Sequence, residues 1–462
     1  MANQHEHTKL ELETLQLGII GMGDMGKLYA RRLSFAGWKN VNVCDMPNKY
    51  ESLLQEFEGT GITVMKDGHL VSRKSDWIMY SVPAEFIDSV VATYGPSTKL
   101  GAIVGGQTSV KAPEIAAFEK HLPEDVYIIT CHSMHGPTVS SRGQPLVIIN
   151  HRGNPEKLAL MERILSCFES EIAHLSYEEH DRITADTQAV THMAFLSMGT
   201  TWKHQSRYPW FDPTYTGGIE NVKVNMAMRI LSNKWHVYAG LAILNPSAKA
   251  QVRQYSLSVA ALFKLMIQEK EAEFVARIHA AGAFVFGNRG NREQILLSDN
   301  LLDQYSLGSV PKERIKPNSH LSLLAMVDCW YQLRMNPYSH MVCQTPLFRF
   351  WLGISEYLFL NSDHLQDAIQ AALYTKEIRE DDMEFMMSAR GWQECIALGN
   401  MEGYRVRFEE TAEFFKDRFQ EANVIGKKMI EMITKKTTHS STPSAVVQDS
   451  TTSNNNRKLQ EP

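Results

Sequence analysis

Leu15-Gln16-Leu17-Gly18-Ile19-Ile20-Gly21-Met22-Gly23-Asp24-Met25-Gly26 is the stretch on which the fold turns. Leu15 to Ile20 is a short, mostly apolar run of the kind found in a buried parallel strand. Three glycines follow in G-x-G-x-x-G spacing, and Lys27-Leu28-Tyr29-Ala30-Arg31-Arg32-Leu33 opens as a helix. Strand, glycine turn and helix, in that order, form a cradle for a dinucleotide. Gly21 permits the tight turn, Gly23 lets a pyrophosphate approach the backbone, and Gly26 lets the helix pack on the strand, so the phosphates sit at the helix N-terminus. The plainer alternative is a structural glycine turn in some other α/β protein. The strand before it and the helix after it favour the dinucleotide.

The rest of the chain suits such a protein. Its 462 residues suffice for roughly two or three domains. The composition, 44% apolar and 21% charged, is that of a soluble globular protein, and a net charge of −5 gives no general attraction to nucleic acid or other polyanions. No apolar run approaches the length of a membrane span. Residues 1–14 are polar and rich in Glu and His. They lack the layout of a signal peptide and the Arg/Ser richness of a transit peptide, so a cytoplasmic protein is expected. Cys44, Cys131, Cys167, Cys329, Cys343 and Cys395 are scattered without a C-x-x-C pair. They read as reduced thiols rather than a disulfide framework or a zinc site.

Beyond the first helix, strand text alternates with helical text. Val41-Asn42-Val43-Cys44-Asp45 reads as a second strand, ending in an acidic residue about 20 positions past the turn. Residues 77–82, 100–104, 126–130 and 146–149 read as further strands. The pattern predicts an α/β, Rossmann-type doubly wound parallel sheet over 15–175, the dinucleotide-binding domain. From Tyr177 strand signals nearly vanish. Helices are expected at 178–200, 219–243, 247–280, 320–335, 346–360, 364–373, 380–399 and 406–433. This all-α C-terminal half divides, at the loop bearing Pro311 and Pro317, into a helical substrate and dimerisation domain at 176–310 and a helical extension at 311–435. Residues 1–14 and the Ser/Thr/Asn-rich tail 436–462 are expected to be disordered, the tail for want of apolar residues to offset its ordering entropy.

Ligands of open α/β sheets bind beyond the carboxyl ends of the strands. Besides the glycine turn, that edge gathers Ser81-Val82-Pro83, the stretch from Gly105 to Lys111, and His132-Ser133-Met134-His135-Gly136-Pro137. His132, following a strand that ends in Thr130-Cys131, is placed to hydrogen-bond or deprotonate an alcohol while a hydride leaves its carbon. A loop or capping histidine is the plain alternative. No further ligand stands at metal-binding spacing from His132 and His135, so no metal is expected. In the helix from Glu178, the residues Asp181, Thr184, Gln188, His192 and Phe195 recur at steps of three and four. Gln188 and His192 stand one turn apart and can face one pocket, although spacing alone favours a solvated face.

Taken together and in order, the glycine turn, Ser81-Val82-Pro83, Thr108-Ser109-Val110-Lys111, the H-x-M-x-G-P segment from His132, and Glu179-His180-Asp181 followed by Gln188 and His192 resemble the prephenate dehydrogenase family. The likeness covers roughly residues 15–300. It is strongest to the fungal, NADP-linked branch, which also carries a helical C-terminal extension with a segment like Pro317-Asn318-Ser319-His320-Leu321-Ser322-Leu323-Leu324. The resemblance implies oxidative decarboxylation of prephenate to 4-hydroxyphenylpyruvate in tyrosine biosynthesis. It implies His132 as the catalytic histidine on the ring 4-hydroxyl, Ser109 as support for that histidine and hydroxyl, and His192 with Gln188 lining the substrate pocket. It further implies a homodimer through the helical half. The cofactor falls to Gly21, Met22, Gly23, Asp24, Met25, Gly26, Asp45, Ser81, Val82 and Pro83. Arogenate is an alternative substrate. A β-hydroxyacid dehydrogenase would share the glycine turn but lacks the H-x-M-x-G-P segment, and an NADP-sensing regulator would have no use for Ser109, His132 and His192 together.

Two departures from the family stand out. Bacterial relatives carry an arginine six residues before the proline of an Asp-Pro or similar pair. Here the pair is Asn245-Pro246 and that position is Gly240. Prephenate carries two carboxylates that need a cation, and Arg229, Lys234 and His236 are the candidates. The second departure is Asp45. It is the usual partner of a ribose 2′-hydroxyl and by itself argues for NAD, whereas the fungal branch uses NADP. Lys49, Arg31 or Arg32 could offset a 2′-phosphate, or Asp45 turns away. NADP is the expected cofactor.

Overall fold

In the computed structural model, which describes residues 9–287, 302–308, 310–343 and 345–438, the opening apolar run becomes β1 (Gln16–Ile20), a central strand of an eight-stranded sheet. The others are β2 (Asn40–Cys44), β3 (Ile62–Val64), β4 (Trp77–Tyr80), β5 (Ile103–Gly106), β6 (Tyr127–Ser133), β7 (Pro145–Arg152) and β8 (Glu171–His174). Their order is β3-β2-β1-β4-β5-β6-β7-β8. Leu17 and Ile19 face one apolar layer with Tyr29, Leu33, Val41 and Met79, while Ile20 faces the other with Ile78, Tyr80, Val104 and Phe118. Helices cover both faces, as an apolar-run strand requires.

β1 to β6 are parallel, as expected, but β7 runs antiparallel to β6, with His132 opposite Val147, and β8 is parallel to β7. The reason is length: the loop over 134–144 is too short for a helical crossover, so the chain turns straight back. β6 also runs further than expected and takes His132 into the strand itself. β3 and β8 escaped the sequence reading. β3 has only three residues, and β8 buries only Ala173, so neither carries an alternating signal.

The second half is helical. The helices Leu321–Gln332, Pro346–Leu360, Ser362–Tyr374 and Lys376–Ala397 fall close to their expected positions. Expected long helices are broken elsewhere. Residues 219–243 split into Gly218–Leu231 and Trp235–Leu244, and 247–280 into Ala248–Ile267 and Glu271–Phe286 around Glu269 at φ +53°. Residues 406–433 split into Met401–Phe415 and Phe419–Thr438. The first helix is Tyr177–Thr184, one π-type turn (Ala185–Ala189) and Val190–His204. One apolar cluster runs from Val190 to Ile430, so residues on both sides of the Pro311–Pro317 loop share a core. Lys9–Thr14, expected to be disordered, form a short helix, and the final helix reaches into the first residues of the expected tail. The rest of that tail lies outside the described residues. No described helix is long and apolar enough to cross a membrane.

Candidate active site

The glycine turn has the shape its spacing implies. Gly21 adopts φ +100°, and a Cβ there would strike the Ser81 carbonyl, while a Cβ on Gly26 would strike the Gly21 carbonyl. At Gly23 a Cβ would meet nothing within 4 Å. The helix Asp24–Phe35 starts there with no side chain capping it, so its first N–H groups face the open side of the turn. That open, capless helix start fits a pyrophosphate. Ser81 donates its N–H to the Ile20 carbonyl (2.7 Å), fixing Ser81-Val82-Pro83 beside the turn.

Asp45 is already engaged. Its Oδ2 accepts from Met22 N–H (2.8 Å), its Oδ1 accepts from Met46 N–H (2.7 Å), and Lys49 Nζ lies 3.2 Å from both oxygens. Of the other cations considered for the 2′-phosphate, Arg31 pairs with Glu56 and Arg32 reaches Ser141 on the other side of its helix. Lys49 is therefore the one left beside Asp45. Lys234, a candidate for the substrate carboxylate, instead pairs with Asp24 of the glycine turn (2.7 Å), both side chains exposed. The helical half thus reaches over the cofactor cradle. Gly240 lies nearby on Ala84, the residue after Pro83, at 3.6 Å from its would-be Cβ.

His132 is 7% exposed at the end of β6. Its Nδ1 is 2.8 Å from His180 Nε2, and His180 Nδ1 is 2.9 Å from Asp181 Oδ1. Burial, with the neighbouring His180, Lys111 and His135, holds the His132 imidazole well below its ordinary pKa, so it is neutral. Ser109 is half-buried in the loop before it. The structure puts His180, not Ser109, on His132 Nδ1. Lys111 of the same loop is fully buried. It donates to the Cys131 carbonyl (2.7 Å), Thr130 Oγ1 (3.1 Å) and Glu114 Oε1 (2.8 Å), tying the loop to β6. Behind the turn, Gln107 Nε2 donates to Tyr29 Oη and Ser133 Oγ, linking the glycine-turn helix to the strand that carries His132.

The helix from Tyr177 does face a pocket. Gln188 sits in the π-type turn with Nε2 4.0 Å from Met134 Sδ, and His192 is one turn on. Burial pushes the His192 imidazole down to about 3, its ring meets Tyr238 edge-on at 4.9 Å, and its Nδ1 has no hydrogen-bond partner. His135 Nε2 is likewise buried without a partner. Such atoms are uncommon in native interiors and are expected where a ligand is recognised. Arg229 is mostly buried beside Tyr238, its pKa lowered by that burial, and it pairs with no carboxylate among the described residues. His236 is half-buried, its pKa lowered by burial and by Lys234. Of the three candidate cations, Arg229 alone adjoins the Tyr238–His192 side. Sequence reasoning missed Asp186 of the π-type turn, whose carboxyl burial pushes up to about 7, with His340 Nε2 3.3 Å from its Oδ2. Nothing in the spacing marks it. His180 and Asp181 were visible only as part of the E-H-D motif.

A glycine-turn cradle, a buried neutral histidine at the adjoining strand end and an open helical wall define a pyridine-nucleotide-dependent oxidoreductase. A family described as a 6-phosphogluconate dehydrogenase C-terminal domain matches residues 189–435, and one described as NADP oxidoreductase coenzyme F420-dependent matches residues 16–104. A probable prephenate dehydrogenase [NADP(+)] of Schizosaccharomyces pombe is 56% identical over 91% of this chain and 98% of its own length. The prephenate dehydrogenase [NADP(+)] of Saccharomyces cerevisiae is 51% identical over 94% of this chain and 96% of its own. A solved prephenate dehydrogenase from A. aeolicus, in complex with hydroxyphenyl propionate and NAD+, overlays with a TM-score of 0.47 at 17% identity, covering 57% of this chain and 94% of that one. The chain belongs to the prephenate dehydrogenase family, alongside its NADP-linked fungal members.

Proposed function

We propose that His132 is the general base of this chain's reaction, the NADP-dependent oxidative decarboxylation of prephenate to 4-hydroxyphenylpyruvate in tyrosine biosynthesis. The observation that carries the assignment is the buried, neutral His132, held through Nδ1 at the end of β6 beside the glycine turn. NADP, when bound, supplies the hydride acceptor. His132 Nε2 takes the proton of the 4-hydroxyl as that carbon gives up its hydride. The ring carboxylate then leaves as carbon dioxide, its bonding pair completes the aromatic ring, and the proton returns from His132 to the phenolate oxygen. Ser109 supports the hydroxyl. Gln188 and His192 wall the ring, and burial of this helix helps exclude water. Arg229, unpaired beside Tyr238, is the cation best suited to a substrate carboxylate, with Lys234 and His236 nearer the cofactor turn.

Gly21, Met22, Gly23, Asp24, Met25 and Gly26 cradle the pyrophosphate, with Ser81, Val82 and Pro83 beside them. Lys49 offsets the 2′-phosphate, since Asp45's charge is already met by two backbone N–H groups and this lysine. On this reading residues 15–175 bind the dinucleotide, 176–310 the substrate, and 311–435 complete the helical core. The test is an absorbance assay for reduced nicotinamide, with prephenate and arogenate side by side. His132→Asn is expected to lower kcat by on the order of a thousandfold with NADP affinity unchanged. Near-normal turnover removes His132 from the chemistry. The homodimer is part of the same proposal. Light scattering on the purified full chain should give twice the monomer mass, and a monomer mass rejects it.

A further inference from the structure

We propose that His180 and Asp181 act as a positioning relay that locks His132 in the tautomer with its Nε2 lone pair facing the substrate. This rests on the reading of His132 as the base. The argument is one of donors and acceptors taken in turn. Asp181 Oδ1 accepts from Lys111 N–H and Oδ2 from Ala112 N–H, each at 2.7 Å, so this carboxylate is held ionised and acceptor-only. The hydrogen between His180 Nδ1 and Asp181 Oδ1 therefore lies on His180. His180 is fully buried and its pKa is lowered, chiefly by that burial, so it is neutral and carries only this one N–H. Its Nε2 is then a lone pair. The hydrogen across the 2.8 Å contact must come from His132 Nδ1. A neutral His132 with Nδ1–H has its lone pair on Nε2, which is what a base toward an alcohol requires.

The surroundings leave little room for the opposite arrangement. The groups facing His132 are His180, Lys111 and His135, and those facing His180 are Asp181, Lys111 and Glu114. Lys111 is committed to the Cys131 carbonyl, Thr130 and Glu114, and His135 Nδ1 to the Gly136 carbonyl. None of these can accept from His132 Nδ1 in place of His180. The same Asp181 carboxylate caps the start of the helix Ala112–His121, so one residue ties the E-H-D segment to both the loop carrying Ser109 and the base. When His132 takes a proton, the anion at the far end of the chain stabilises the imidazolium without itself being protonated, as in the hydrolase triads.

Three variants test this, each assayed for kcat, KM for prephenate, the pH profile of kcat/KM and NADP binding. In Asp181→Asn the amide N–H donates to His180 Nδ1. That reverses both tautomers and leaves His132 Nε2 protonated. We expect kcat to fall on the order of a hundredfold or more, with KM for prephenate and NADP binding within threefold. The acid limb of the profile should move to lower pH, because the anion that favours the imidazolium is gone. In His180→Leu, His132 Nδ1 loses its acceptor and kcat should fall likewise. In His180→Gln the amide oxygen can accept from His132 Nδ1, and part of the activity should return. If Asp181→Asn fails to fold for want of the helix cap, the His180 pair decides alone. Values of kcat within threefold of the parent in both His180 variants overturn the relay, as does an equal loss in both with an unmoved pH profile. A dead His132→Asn beside active His180 variants refutes the relay only, whereas an active His132→Asn refutes the base.

Discussion

Asp186 shows how burial, invisible in the sequence, sets the chemistry of a single side chain. It lies in the π-type turn before Gln188, its Oδ1 buried without a hydrogen-bond partner, and burial lifts its carboxyl from 3.8 to about 7, Arg182 opposing. His340 lies against its Oδ2, but burial lowers that imidazole too, so the two do not form an ion pair at neutral pH. In the unfolded chain Asp186 ionises from about pH 4, whereas in the native state it stays protonated until about pH 7. Across that window the unfolded state binds fewer protons, so this residue makes the fold less stable as pH rises. Asp186→Asn removes the effect. Its urea midpoint should match the parent near pH 4 and exceed it increasingly up to pH 7, levelling off above, and a constant difference across that range contradicts the assignment. The glycines and His132 could be read in advance because their function depends on residue type and spacing. Asp186, Arg229 and the Lys49–Asp45 pair could not, because what distinguishes them is the partners they have or lack in space.

At the level of the element, the glycine turn separates two roles that one motif conceals. A Cβ on Gly26 would press on the Gly21 carbonyl, so that glycine serves the packing of helix on strand. Gly23 stands in open space at φ −72°, which any residue adopts, so nothing in the folded chain itself requires glycine there. What requires it is the approach of a pyrophosphate. Gly23→Ala should therefore keep the parental melting temperature and weaken NADP binding tenfold or more, measured by titration of protein fluorescence. Gly26→Ala should lower the melting temperature as well, because its backbone must shift. Equal NADP affinity in Gly23→Ala and the parent would mean the phosphates lie elsewhere. Other elements were legible to different degrees. β1 and β4 announced themselves as apolar runs, whereas the reversal of β7 followed from loop length, which a scan for strands ignores. The π-type turn had no signature, since its sequence Ala-Asp-Thr-Gln-Ala is ordinary helical text.

For the whole molecule, the telling feature is the helix Val190–His204, whose residues from Val190 to Trp202 are all buried. A helix apolar on every side needs cover on every side, and this chain provides it from its own C-terminal part. Trp351 meets Phe195 edge-on with ring centroids 4.8 Å apart, Trp392 Nε1 donates to Thr200 Oγ1 (2.9 Å), and Phe415 closes on Trp202. The sequence divided 176–310 from 311–435 at a proline-bearing loop, reasonably enough, because helical periodicity says which face of a helix is apolar but not which other helix will cover it. Here both segments join one core, and the helix that walls the substrate pocket is held in place by the later one. Removing residues 346–438 would expose Phe195, Trp202 and their neighbours, each large side chain worth about 2–3 kcal/mol of burial. That loss exceeds what a typical domain can spare. The truncated chain is expected to be insoluble or self-associated in sedimentation analysis and to show no cooperative melting. Trp351→Ala in the full chain is expected to cost about 3–5 kcal/mol in urea unfolding and, through Phe195 and His192 one turn before it, to raise KM for prephenate. A soluble, cooperatively melting truncation would make residues 346–438 an appendage rather than part of the core.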